Sequence, residues 1–305
     1  MQVIATSALC KSFDTIKAVD NLDLTVHRAE MFGIVGPDGS GKTTTIRMLC
    51  GILKPTSGTA KILDHDLLKE PDLVKRNIGY LSQRFTLYGD LSIDENIEFF
   101  AEINGVYQYT DRREELLEFT RLRPFRERLA DKLSGGMKQK LALACTLIHQ
   151  PKILFLDEPT TGVDPVSRRD FWRILQNLLA GGITIVMTTP YLDEAERCTR
   201  VALMNNGRIM EVDTPVNLKK LMSGYIVEIV CDRVREAFAL LKVNPLVREV
   251  QAFGDRLNVI VDDAPGPDDR ITMFLRSSGI RVEKARAVTP SIENVFVSLL
   301  AKKES

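Results

Sequence analysis

Residues 36–43 read GPDGSGKT, which satisfies the spacing G-x-x-x-x-G-K-[ST]. Gly36, Gly39 and Gly41 have no Cβ, so the backbone there can wrap an anion closely with its amides turned inward. Lys42 follows where an ammonium reaches terminal phosphates, and the Thr43 hydroxyl suits one position on Mg²⁺. Pro37, Asp38, Ser40 and Thr44 complete the candidate phosphate contacts. The four specified positions arise by chance in roughly one chain in a hundred of this length. Context narrows that further: the apolar run MFGIV (31–35) precedes the loop and TTTIRMLCGIL follows it, so the loop joins a buried strand to a helix N-terminus that attracts anions.

Outward from the loop, strand and helix patterns alternate. VIATSALCKSF and AVDNLDLTVHR read as β-rich, and NIGYLS as a short strand. From about 92 to 149 the pattern turns helical, with ENIEFFAEI, DRREELLEFTRL and GGMKQKLALACTLI. Strand KILFLD, helix SRRDFWRILQNLLA, strand ITIVM, helix PYLDEAERC and strand RVALMNN follow. That alternation predicts an α/β unit over 1–222 with a mainly parallel sheet, and a helical subdomain at about 92–149. Over 223–305 the order becomes strand, helix, strand, strand, helix, strand, which suits a small ferredoxin-like α/β domain. TPSIENVFVSLLAKK closes the chain as a capped amphipathic helix, and this second domain reads as regulatory or dimer-supporting.

Two further segments carry candidate chemistry. In KILFLDE (152–158), four apolar residues place Asp157 at the end of a buried strand, where it could hold Mg²⁺ through a water. Glu158 then stands where a carboxylate orients and deprotonates an attacking water. In LSGGMKQK (133–140), Ser134, Gly135 and Gly136 precede a helix and form a second anion-receptive helix start, or simply a serine N-cap with flexible glycines. Two such starts in one chain suggest nucleotide shared between two copies, each offering its second helix end to the other's γ-phosphate.

Together these residues resemble the nucleotide-binding subunit of ATP-binding cassette (ABC) transporters, over residues 1 to about 220. GPDGSGKT is similar to the Walker A loop, ILFLDE to the Walker B strand with catalytic Glu158, LSGGM to the signature sequence, and GVDP (162–165) to the D-loop. The resemblance implies a P-loop NTPase fold with ATP and Mg²⁺ as ligands. It makes Gln83 of YLSQRF the Q-loop glutamine that touches Mg²⁺ and senses the permease. It places Phe13 of KSFDTIKAV where an aromatic stacks on adenine; a core phenylalanine is the other reading. QRFTLYGDLSIDENIEFF and TPSIENVF resemble the export branch for drugs, antibiotics or polysaccharides, which carries a C-terminal extension and pairs with separate membrane permeases.

One position departs from the family. After the paired threonines of ITIVMTTPYLDEAE (183–196), where the family carries a switch histidine on the γ-phosphate, this chain has Pro190. Proline offers neither a side-chain donor nor a backbone N–H. None of the three histidines, His27, His65 and His149, lies nearby in sequence; Thr188 and Thr189 offer uncharged hydroxyls. Losing one aimed donor costs about 10²–10³ in rate. Either this subunit pairs with a different ATPase subunit, its own site slow and its LSGGM completing the partner's, or a homodimer turns over modestly on Lys42, Glu158 and Mg²⁺. The intact signature favours the mixed dimer. Asp38, where asparagine is common in the loop, also sets a carboxylate near phosphates.

Composition bounds these readings. Lys+Arg and Asp+Glu are both 41, which argues against nucleic acid as partner. No apolar run approaches the ~20 residues of a membrane-spanning helix, and MQVIATSALCKSF lacks the build of a signal peptide. Five scattered cysteines without metal spacing suit a reducing cytosol. The expected place is cytoplasmic, peripheral on the inner face of the membrane. RLRPFRER (121–128) reads as a solvated basic helix end, or a surface for permease or anionic lipid. The alternative function is a regulatory module in which ATP serves only to dimerise; Pro190 favours it and Glu158 opposes it.

Overall fold

The computed structural model describes residues 1–83, 87–262 and 267–304. Arg84, Phe85 and Thr86 of the QRFTLYGDLS stretch lie outside the described residues. The chain divides into two compact units, Met1–Val212 and Asp213–Ser305. That division falls ten residues before the boundary expected at 222, because the short helix Pro215–Lys219 packs against Ile292–Glu304 of the second unit.

In the first unit, the six-stranded sheet runs Arg208–Asp213, Arg200–Asn205, Met31–Val35, Thr184–Thr189, Ile153–Asp157, Ile78–Leu81. Pairings from Arg200–Asn205 through Ile78–Leu81 are all parallel. Met31–Val35, Ile153–Asp157 and Thr184–Thr189 are buried at every residue, as apolar strands covered on both faces must be. Their register is what builds the site. Val35 lies opposite Thr189, Asp157 opposite Thr188 and Leu81 opposite Leu156, so the loops that follow leave from one edge of the sheet. A second sheet, ordered Ile16–His27, Gln2–Phe13, Ser57–Ile62, His65–Asp66, is antiparallel and shares one core with the first through Ile4, Leu9, Ile46, Phe32 and Phe155.

Helices Ile93–Ile103, Thr110–Thr120 and Gly135–Leu147 form the helical region. The first opens on a capping box in which Ser92 and Glu95 satisfy each other's backbone amides. RLRPFRER is less free than a solvated end: Arg126 pairs with Asp94 at 2.7 Å and Glu114 at 2.8 Å, and Arg128 stacks on Phe125. The expected helix PYLDEAERC shrinks to one turn, Leu192–Ala195. Ser57–Ile62, Pro71–Asn77 and Arg208–Asp213 were not anticipated; each is short and partly exposed, so its apolar pattern is weak.

In the second unit four antiparallel strands run Glu249–Phe253, Arg256–Val261, Tyr225–Cys231, Val282–Val288. With strand order 2-3-1-4 along a βαββαβ chain, this is the ferredoxin-like arrangement. Val227, Ile229, Leu257 and Val259 meet Leu241, Ile271 and Leu275 of the two crossing helices. Asn294 ties the final helix to the sheet through reciprocal bonds with Gln251: its Nδ2 donates to the Gln251 side-chain Oε1 at 2.8 Å, and Gln251 Nε2 donates to the Asn294 backbone oxygen at 3.1 Å. Among the described residues no helix is long and apolar enough to cross a membrane.

Candidate functional site

The loop after Met31–Val35 curls back on itself before the helix Lys42–Leu49 begins. Gly41 caps that helix at φ 104, a left-handed backbone that costs a Cβ-bearing residue, and a Cβ there would stand 2.4 Å from the Ala18 carbonyl. Lys42 is 3% exposed. Its ammonium donates to the Gly36 and Pro37 carbonyls at 2.8 and 3.0 Å and lies 3.5 Å from a Glu158 oxygen. The Thr43 hydroxyl donates to Asp157 at 3.0 Å, so these two candidate Mg²⁺ groups meet across 114 residues of sequence. The Ser40 hydroxyl is buried and has no hydrogen-bond partner in the structure, a cost a phosphate oxygen in the loop would remove.

Asp157 is fully buried and accepts from Thr188 at 2.7 Å and, more loosely, from Tyr80 at 3.5 Å. Burial pushes the Tyr80 phenol up to about 12, so it remains a donor. Glu158 has φ 49, a left-handed conformation that costs a residue of its kind about 1–3 kcal/mol unless its surroundings hold it. Its N–H is held by the Thr188 hydroxyl at 3.0 Å, and its carboxylate accepts from Gln83 at 2.9 Å and Thr161 at 3.4 Å.

In front of the buried Asp157 and Thr188 lies one cleft of 780 Å³, within the range of small-ligand sites. Phe13, Asp38, Gly39, Gly41, Lys42, Thr43, Thr44, Gln83 and Glu158 all line it. Phe13 is 46% exposed, so it is not a core residue, and the Lys11 ammonium sits 5.0 Å from its ring. Gly36, Pro37 and Ser40 shape the loop from behind. Ser134, Gly135 and Gly136 do not line this cleft. Ser134 caps the helix Gly135–Leu147 by accepting from Met137, and Gly136 packs where a Cβ would collide with Ser167 at 2.3 Å. Within GVDP, Asp164 caps the helix Pro165–Ala180 through the Val166 and Ser167 amides, and its bonds with Ser167 hold its carboxyl below the usual range.

Pro190 lines the cleft, with Tyr191 beside it. Neither neighbouring threonine offers a free hydroxyl in compensation: Thr188 donates to Asp157, and Thr189 to Glu194 at 2.7 Å. Sequence reasoning missed Ala18, Thr161 and Tyr191 as lining residues, and Thr188 and Tyr80 as supports of Asp157. Thr161 sits three residues after Glu158 and was within reach of a motif reading; the others depend on strand register.

Comparison with known proteins agrees with this geometry. A family profile described as ABC transporter matches residues 19–161. The probable multidrug ABC transporter ATP-binding protein YbhF of Escherichia coli (strain K12) is 40% identical over 304 residues, 98% of this chain and 52% of that protein. This chain therefore spans about half the length of that relative. The daunorubicin/doxorubicin resistance ATP-binding protein DrrA of Streptomyces peucetius is 39% identical over 75% of this chain and 70% of its own length. Among solved structures, a dimeric post-hydrolysis state of an ATP-binding cassette bound to ADP and Pi superposes with a TM-score of 0.62 at 25% identity, over 69% of this chain and 98% of that one. With a P-loop sheet, a phosphate loop and a buried Asp-Glu strand end, and 39% identity over 70% of DrrA's length beside them, the chain belongs to the ATP-binding subunits of ABC transporters.

Proposed function

We propose that this chain binds and hydrolyses Mg-ATP to drive an ABC exporter. The observation that carries the reading is the convergence of Lys42, Thr43 and Glu158 on one cleft, with Lys42 3.5 Å from Glu158 and the buried Asp157 3.0 Å behind Thr43. Lys42 and the loop amides bind the phosphates, and Phe13 supports the adenine. Thr43, Asp157 and Gln83 would hold Mg²⁺, which supplies charge neutralisation at the phosphate oxygens. Glu158 orients an attacking water and takes its proton, held for that task by Thr188 on one side and Gln83 on the other. Glu158 in the cleft speaks against a module that only binds nucleotide.

Ser134–Gly136 lie away from the chain's own cleft, which supports a head-to-tail dimer in which they complete the partner's site. Pro190 supports a mixed dimer: a second, different ABC ATPase subunit would carry the faster site and use this chain's signature. Membrane permeases are the proposed transport partners, reached from the cytoplasmic face, and the relatives' names, multidrug transporter and daunorubicin/doxorubicin resistance, support drug-like cargo. The second unit is assigned an accessory, regulatory or dimer-supporting role.

The test is Mg²⁺-dependent ATP hydrolysis by the purified chain, wild type against Pro190→His. A slow wild type raised about 10²-fold by histidine supports the mixed dimer. Ready hydrolysis with no gain from histidine supports the homodimer. No hydrolysis and no ATP binding by either protein would remove the reading.

A further inference from the structure

Glu194 has no exposed surface, yet four side chains donate to its carboxylate. Thr160 at 2.7 Å, Arg168 at 2.6 Å and Trp172 at 3.2 Å share one oxygen, and Thr189 takes the other at 2.7 Å. A buried carboxylate is retained at low cost only when its acceptor sites are filled and a cation stands beside it, and both conditions hold here. Arg168 and Trp172 are four apart on one face of the helix Pro165–Ala180, so an anchor for that helix alone would need only those two. The other two donors reach elsewhere. Thr189 precedes Pro190, and Thr160 lies two residues beyond Glu158, separated from it by the stiff Pro159.

From this convergence we propose that Glu194 is the positioning residue of the cleft, joining the strand end that carries Pro190 to the loop that carries Glu158. Glu158 holds a left-handed backbone at φ 49. Such a conformation persists when it is fixed from both sides. Thr188 fixes its amide, and the Thr160–Glu194 bond fixes the chain that leaves it. Glu194 thus acts on the reaction through Glu158, without touching the nucleotide. The proposal rests on the assignment of Glu158 as the base, and its test separates the two.

The first readout is hydrogen–deuterium exchange of the nucleotide-free full chain. Glu194→Gln keeps the side-chain shape but removes the charge and puts an amide NH2, itself a donor, where a carboxylate oxygen received a donor. Segments 158–163 and 189–195 should exchange about tenfold faster, while 31–35 and 42–49 stay as in wild type. Thr160→Val, a milder change, should loosen 158–163 alone. Unchanged exchange in both segments, or equal loosening of the whole first unit, would overturn the proposal. The second readout is a double-mutant cycle on ATP hydrolysis. Glu194→Gln should lower kcat about tenfold or more with KM unchanged, and should add nothing in a Glu158→Gln background. Additive losses would overturn it. If Glu158→Gln alone leaves hydrolysis intact, the assignment of the base has failed, and the exchange experiment still decides the role of Glu194.

Discussion

The two walls of the cleft use their polar groups in opposite ways. On the wall formed by the phosphate loop and the end of Ile153–Asp157, Lys42, Thr43 and Glu158 face the space a nucleotide would fill. On the wall formed by the end of Thr184–Thr189, both threonine hydroxyls turn back into the protein, to Asp157 and Glu194, and the tip is Pro190. The first wall is equipped for charge stabilisation, the larger part of phosphoryl transfer. The second supports that wall from behind, and neither its two threonine hydroxyls nor Pro190 offers the cleft a free donor. On the proposed function, a chain built this way is expected to bind nucleotide through its first wall and to lack an aimed donor for the terminal phosphate on its second.

Breaking the first wall has the largest expected effect. Lys42→Ala takes away the cation aimed at the phosphates and leaves the buried Glu158 without the ammonium 3.5 Å from its carboxylate. Hydrolysis should fall by about 10²–10³-fold or more, with ATP binding weakened in equilibrium titration. Unchanged activity would remove the cleft from consideration as the site. Adding a donor to the second wall comes next, and the histidine variant at Pro190 measures it. If that gain is absent while Lys42→Ala is inactive, the first wall suffices by itself and the contrast between the walls has no kinetic meaning.

Phe13→Ala sharpens the comparison at the cleft's outer rim. Stacking on a base is worth about 1–3 kcal/mol, and the half-exposed ring belongs near the lower end. Affinity for ATP should drop roughly tenfold with little change in kcat, because the adenine is remote from the reacting phosphate. A loss confined to kcat would place Phe13 in a different role.

The legibility of the two walls differs for a physical reason. GPDGSGKT and ILFLDE act through consecutive residues, so a reader of the sequence finds both the elements and their ligands: glycines for the loop, an apolar run for the buried strand. The support of those ligands lies between strands. Thr188 meets Asp157 only because Ile153–Asp157 and Thr184–Thr189 pair in parallel with residues 157 and 188 opposite each other, and a sequence does not show register. Glu194 was hidden for a related reason. In YLDEAE it looks like one more acidic residue on a solvated helix, but that helix is a single turn and the side chain points inward. Pro190 was visible as an anomaly in the pattern; that its threonine neighbours give no compensation was not.

The smallest effect is expected in the second unit and tests whether that unit follows its own electrostatics. Glu228 sits on the central strand Tyr225–Cys231 and accepts from Arg286 at 2.7 Å and Arg256 at 3.2 Å. Those bonds, that with Arg286 foremost, hold its carboxyl below the usual glutamate range against the opposing pull of burial. A carboxyl whose folded pKa is depressed contributes stability above its unfolded pKa and loses that contribution as pH falls through the folded value. Arg286 is half exposed, so solvent screening limits the pair to below about 1 kcal/mol. Arg286→Gln should therefore lower the stability of the second unit slightly at pH 7, and the difference from wild type should close as pH falls below the ordinary glutamate range near 4.5. Urea unfolding at pH 7 and pH 3 measures this directly. A difference that persists at pH 3 would show that Arg286 acts by packing its stem on the sheet, and the ion pair would then contribute nothing measurable.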